Sequence, residues 1–275
     1  MTLQTITQIT DRGDPRIAPF VSIRERDLTG GTDRRFIVEG KVPLEILLTR
    51  SRFAVDSLFL CETRLAPLAS LLAQVPDQVP IYTAPQALMD EIAGFPIHRG
   101  VLACAREGEA ISLQSLFKEP ESPVSGRQVV LVLNQISNHD NVGAAFRNAA
   151  AFGAAGIVLD AGSCDPLYRK AIRVSSGSAL WLPYHHGGTG LDHIAALKAA
   201  GFAIWALTPN MKAKPIGEQI VPQKLALLLG AEGPGLPEAL ISAAHPVRIP
   251  MVAGFDSVNV ATAGAIALAH VFDAA

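Results

Sequence analysis

The stretch Val129–Leu159, VVLVLNQISNHDNVGAAFRNAAAFGAAGIVL, decides how the second half of this chain folds. Val129 to Leu133 is an unbroken apolar run, the pattern of a strand buried on both faces. Asn134 to Asp140 is polar. Asn141 to Gly153 then sets Phe146, Ala150 and Gly153 at i, i+4 and i+7, the spacing of a packed helix face. Ile157 to Leu159 reads as the next strand. Strand, polar loop, helix and strand in this order predict a parallel βαβ unit.

The alternation continues to the end of the chain. A helix at Leu191–Ala200 is closed by Gly201. Strands follow at Ala203–Leu207 and Leu225–Leu229, a short one near Val247–Ile249, and a final helix at Asn259–Phe272. The expectation is an α/β fold, a mostly parallel sheet with helices on both faces. The first half carries strands at Ser57–Cys61, Val79–Tyr82 and Val101–Ala105, with helices at Leu65–Val75 and Pro85–Ala93, and reads as a small α/β domain. Lys118–Arg127 (KEPESPVSGR), with two prolines, two serines and a glycine, reads as a linker. The expected organisation is residues 1–119, a linker at 120–127, and 128–275.

The 275 residues are 49% hydrophobic and 17% charged, enough to bury a large core. Net charge is −2, with 13 basic and 15 acidic residues up to Glu119 and 10 of each beyond it. Neither half is a basic domain, so any RNA contact must come from local clusters of Lys and Arg. Cys61, Cys104 and Cys164 are far apart and show no CxxC spacing, which predicts no disulfide framework or zinc site and a reducing, cytoplasmic location. The N-terminus lacks the apolar core of a signal peptide, and Ala261–Phe272 is too short for a membrane span. An Arg-rich stretch (Arg12, Arg16, Arg24, Arg26, Arg34, Arg35) is interleaved with Asp11, Asp14, Glu25, Asp27 and Asp33 and reads as a solvated, salt-bridged face.

In an open α/β sheet, ligands bind beyond the carboxyl ends of the strands. Three such loops are dense in Gly, Asn, Ser and Glu. The first, Asn134–Arg147, leads into a helix on which Gly143 and Arg147 lie one turn apart. The second, Gly230–Leu236 (GAEGPGL), follows the buried run LALLL, and its glycines let backbone approach a ligand closely. Its spacing is not that of a GxGxxG fingerprint. The third, Ile249–Asn259, offers Asp256, Ser257 and Asn259 as N-caps for the last helix. Arg169, Lys170 and Arg173 form a local basic cluster that reads either as a phosphate-holding group or as a solvated face. His185 and His186 are adjacent in a loop, with no metal-binding spacing.

These loops, in this order, resemble the three motifs of the SpoU (TrmH-like) family within the SPOUT methyltransferases. The first is matched by Asn141-x-Gly143-Ala144-x-x-Arg147-Asn148-Ala149-x-x-Phe152-Gly153. The second is matched by Leu228-Leu229-Gly230-x-Glu232-x-x-Gly235, and the third by Ile249-Pro250-Met251 with Ser257-Val258-Asn259-Val260. Asp165-Pro166-x-x-x-Lys170-Ala171-x-Arg173-x-Ser175-x-Gly177 resembles the family's intermediate block. Val258 stands where leucine is usual, Ala261 where serine is common, and His270 near a frequent glutamate. More loosely, Arg35–Leu48 and His98–Ala105 resemble a ribosomal-protein-like substrate-binding domain.

The resemblance implies a deep trefoil knot, a homodimer with a shared active site, and S-adenosylmethionine as cofactor, with no metal. It assigns cofactor contacts to Gly230, Ile249 and Val258. It makes Arg147 the catalytic arginine, with Asn141, Glu232, Ser257 and Asn259 lining the same pocket, while the local cluster of Arg169, Lys170 and Arg173 is the expected RNA contact. The implied activity is methylation of a ribose 2′-hydroxyl in rRNA. The alternatives are a tRNA 2′-O-methyltransferase, a catalytically silent knotted RNA-binding factor, and a small-molecule α/β enzyme.

Overall fold

Gln128–Leu133 is extended and buried at every position, so both faces of this strand must be covered. That requirement organises the second half of the molecule. The computed structural model describes residues 6–23, 34–118, 126–252 and 254–274. Packing divides the chain into two units: residues 1–109 with 167–181, and residues 110–166 with 182–275.

The first unit is built on strands β1 (Ile6–Gln8), β2 (Arg35–Glu39), β3 (Ala54–Cys61), β4 (Ile81–Ala84) and β5 (Val101–Arg106), in the order β1-β4-β3-β5-β2. β5 runs antiparallel to both β2 and β3, while β3, β4 and β1 are parallel. The helices are α1 (Lys41–Thr49), α2 (Ala69–Leu72) and α3 (Gln86–Ala93), joined from further along the chain by α6 (Arg169–Val174). Phe20, Phe59, Met89, Ile92 and Leu102 form its core. The helix expected over Leu65–Val75 is broken into a 3-10 turn at Ala66–Leu68 and the single turn α2. Pro67 and Pro76 account for this, since proline neither donates a helical hydrogen bond nor follows a helical residue comfortably. Among the described arginines of the Arg-rich stretch, Arg12 pairs with Glu91, Arg16 with Asp14, Arg34 with Glu107 and Arg35 with Asp56. Arg24, Arg26, Glu25, Asp27 and Asp33 lie outside the described residues, as does most of the 120–127 linker.

The second unit carries β6 (Gln128–Leu133), β7 (Gly156–Leu159), β8 (Tyr184–His186), β9 (Ala203–Leu207), β10 (Lys214–Pro215), β11 (Lys224–Leu229) and β12 (His245–Arg248). All pairings in this sheet are parallel, in the order β10-β12-β9-β11-β6-β7-β8. Its helices are α4 (Leu113–Leu116), α5 (His139–Ala151), α7 (Gly190–Ala199), α8 (Glu238–Ser242) and α9 (Val260–Asp273). Val130, Val132, Ala226 and Leu228 point to one face and pack with Ile194, Leu197 and Leu240 of α7 and α8. α9 covers the other face, where Gly264 lies so close that a Cβ there would sit 3.0 Å from Leu229 Cδ1.

His185 and His186, expected in a loop, belong to the edge strand β8. His185 Nδ1 lies 2.8 Å from the Ile111 carbonyl and His186 Nε2 3.1 Å from that of Ser163. The short, histidine-bearing run hides its strand character because it is only half buried. No helix among the described residues is long and apolar enough to cross a membrane.

Candidate active site

Because every strand of the second sheet is parallel, all carboxyl ends emerge along one edge. β6 and β11 are adjacent and in register, Leu133 opposite Leu229, so Asn134 and Gly230 leave the sheet side by side. β6, β7 and β8 step towards one edge of the sheet, whereas β9 lies on the other side with β11 between it and β6. Strand order reverses here, which is where a doubly wound sheet opens a crevice. β12 ends beside β9, Val247 opposite Leu207, and sends the Ile249–Asn259 loop from the same edge.

The first loop is pinned from below. Gln135 takes a left-handed φ of 58°, and its N–H donates to Asp160 Oδ1 at 2.8 Å. Ser163 Oγ donates to the same oxygen at 2.6 Å and accepts from Ile136 N–H at 3.0 Å. Asp160 and Ser163 are buried, and no motif pointed to them. The available signal was an acid directly after an apolar strand. Asn138 then caps α5 by accepting from Asp140 N–H at 2.8 Å, so the helix begins at His139, earlier than periodicity suggested.

Asn259 joins the three loops. Its Oδ1 accepts from Ala261 N–H at 2.9 Å and Thr262 N–H at 3.2 Å, capping α9. Its Nδ2 donates to Asn141 Oδ1 and to Glu232 Oε1, both at 2.9 Å. One side chain therefore starts the last helix and ties the N-terminal end of α5 to the glycine-rich loop. Of the three N-cap candidates, Asn259 performs the capping. Asn141 is buried, and its Nδ2 donor has no partner among the described residues. An unsatisfied buried amide of this kind calls for an acceptor supplied from outside.

α5 and α9 run side by side. Asn148 Nδ2 donates to the Ala261 carbonyl at 3.0 Å, and Phe152 and Phe272 meet edge to face at 6.0 Å between centroids. Asn148 received no role from sequence, although a polar residue among alanines inside a helix was the signal. Its neighbour Arg147 is exposed, whereas Gly143 one turn earlier is buried. Glu232 and Ser257 are exposed, and Gly230, Ile249 and Val258 are half-buried. A Cβ on Gly230 would lie 2.5 Å from the Leu236 nitrogen and 2.7 Å from the Gly235 oxygen, so only glycine lets this loop fold back on itself. The structure thus brings Asn141, Glu232 and Asn259 into direct contact, with Gly230 beginning the loop that carries Glu232.

The Arg169, Lys170 and Arg173 cluster is placed differently, within the first unit. Arg169 forms an ion pair with buried Glu39 and stacks over Phe95 at 4.6 Å, while Arg173 is exposed. His193 is buried beside His185, and burial pushes its imidazole below the usual histidine range.

The SpoU rRNA Methylase family matches residues 128–269 of the chain. A protein named as an uncharacterized tRNA/rRNA methyltransferase from Mycobacterium tuberculosis is 38% identical over 270 residues, covering 95% of this chain and 90% of that one. The 23S rRNA (guanosine-2′-O-)-methyltransferase RlmB of Acinetobacter baylyi is 27% identical over 195 residues, 70% of this chain and 78% of its own. Among solved structures, the AdoMet-bound rRNA methyltransferase from Sinorhizobium meliloti superposes with a TM-score of 0.78 at 21% identity, covering 97% of each chain. A parallel sheet whose polar loops meet at Asn259, with this motif match across its length, defines an RNA methyltransferase. The chain belongs to the SpoU rRNA methylase family.

Proposed function

We propose that the protein transfers a methyl group from S-adenosylmethionine to a ribose 2′-hydroxyl of rRNA. The observation that carries this is the Asn141–Asn259–Glu232 contact, which draws three distant loops to one point at the carboxyl edge of the sheet. The 2′-O specificity in the name of the Acinetobacter relative supports the ribose as acceptor.

The residues at this edge suit the cofactor. Gly230 keeps a backbone approach open, Asn141 offers an unpartnered amide donor, and the third loop exposes Val252 (78%) and Phe255 (61%), apolar faces available to an adenine. Gly230, Ile249 and Val258 would hold it. When bound, S-adenosylmethionine supplies an electrophilic methyl group on a sulfonium.

A guanidinium stays protonated at physiological pH and makes a poor base. Arg147 therefore acts by holding an RNA phosphate and stabilising negative charge as it develops on the ribose oxygen. The departing proton passes to phosphate oxygen or water. Glu232 accepts from Asn259 and orients it, and exposed Ser257 faces the incoming ribose. The deep trefoil knot that the family resemblance implies belongs to this reading. Residues 1–119 would serve to hold the RNA, and a second copy of the chain would complete the site as a homodimer.

Arg147→Ala is expected to lower methyl transfer by on the order of 10²–10³-fold, as loss of one transition-state donor does. Cofactor affinity, measured by calorimetry, should stay nearly unchanged. Equal loss of both would mean that Arg147 is structural. Mass-spectrometric mapping of 2′-O-methyl groups in rRNA and tRNA, from cells with and without the protein, identifies the substrate. A lost mark in tRNA alone would overturn the rRNA assignment.

A further inference from the structure

The first unit carries a cluster of Lys, Arg and His side chains that the methyl-transfer site does not use. α1 begins at Lys41 directly after β2, Arg64 ends the 3-10 turn after β3, and His98 and Arg99 lie in the loop before β5. Because β5 is antiparallel to β2 and β3, these three segments meet at one end of the sheet. Gly40 N–H donates to the Val101 carbonyl at 3.0 Å, and Cys61 N–H to that of Gly100 at 2.9 Å. Together the four side chains line an open cleft of ≈ 280 Å³ with Pro67 and Leu68.

These side chains lack the counter-charge that six arginines of the unit have. Arg12, Arg16, Arg34, Arg35, Arg106 and Arg169 each have a carboxylate within salt-bridge distance. The side chains of Lys41, Arg64, His98 and Arg99 have no hydrogen bond or ion pair among the described residues. Glu39 and Glu62, nearest in sequence, are engaged by Arg169 and by Gln8. The two arginines also lie against glycine backbone. A Cβ on Gly40 (φ +101°) would come 3.0 Å from Arg99 Cδ, and one on Gly100 (φ +60°) 3.2 Å from Arg64 Cγ. Like charges gathered without compensation repel one another, and an anion that bridges them removes that cost.

We infer that this cleft grips the phosphodiester backbone of the RNA substrate, its two guanidinium forks each matched to a phosphate. The inference rests on the RNA methyltransferase reading above and names where the first unit holds the RNA. The full-length protein, titrated with an rRNA transcript that it methylates, provides the test. Arg64→Ala/Arg99→Ala should weaken binding roughly ten- to a hundredfold near physiological salt and flatten the log–log salt slope by about 1.5–2. Arg64→Lys/Arg99→Lys should restore most of that slope, and Arg12→Ala, which removes one charge from an existing pair, should leave affinity within twofold. S-adenosylmethionine binding should be the same for all variants. An alanine double variant with wild-type affinity and slope overturns the proposal and leaves the enzymatic reading intact, whereas a wild type that neither binds nor methylates RNA overturns that reading itself. Inorganic pyrophosphate is the second probe: if the double variant loses pyrophosphate binding but keeps RNA binding, the cleft belongs to a free anion.

Discussion

Asn259 shows how much one side chain can connect. Its carbonyl oxygen caps α9 while its amide reaches both other loops, so structure and chemistry are lost together if it is truncated. Asn259→Ala should destabilise the protein by about 1 kcal/mol through the lost cap, and further through the stranded side-chain oxygen of buried Asn141. Asn259→Asp separates the two roles. An aspartate caps as well as asparagine and favours a helix N-terminus, yet it has no donor and sets a second carboxylate beside Glu232. Thermal melts and methyl-transfer assays check this: activity should fall in both variants, with the larger loss of melting temperature in the alanine one. An active Asn259→Asp enzyme would remove the amide bridge from the argument.

At the scale of elements, α5 and α9 depend on glycine and small residues to approach their neighbours, and the loop after β11 depends on Gly230 to turn back. The obstacle to a Cβ at Gly230 is backbone, which cannot rotate away as a side chain can. Gly230→Ala should therefore displace the loop, abolish detectable cofactor binding and cost roughly 1–3 kcal/mol. Gly233→Ala is the contrast. That position has open space around it and a φ of 86°, so the penalty is backbone strain of about 1–2 kcal/mol with cofactor binding retained. Calorimetry on both variants distinguishes a loop that shapes the site from one that merely turns.

For the whole molecule, the packing units do not follow a single cut in the chain. Residues 110–118 pack with the second unit, and the excursion 167–181 packs with the first, burying Leu167, Ala171, Ile172 and Leu180 there. Periodicity cannot reveal this, because an apolar helix face shows only that something covers it. A fragment of residues 128–275 should thus expose these side chains, bind a hydrophobic dye and aggregate more than the full chain. Light scattering and dye fluorescence test the point, and a monodisperse, dye-free fragment would contradict it.

By itself the sequence determined the α/β alternation, the buried strand β6 and the loops rich in Gly, Asn, Ser and Glu. Local patterns specify these: apolar runs, helical spacing, caps and turn residues act over a few positions. Only the tertiary structure decided that Asn141, Glu232 and Asn259 touch, that Asp160 and Ser163 hold the first loop, and that Lys41, Arg64 and Arg99 share one cleft with His98 in the first unit. Those outcomes depend on strand order and register, which bring residues far apart in the chain to one edge of a sheet, and no local pattern encodes that proximity.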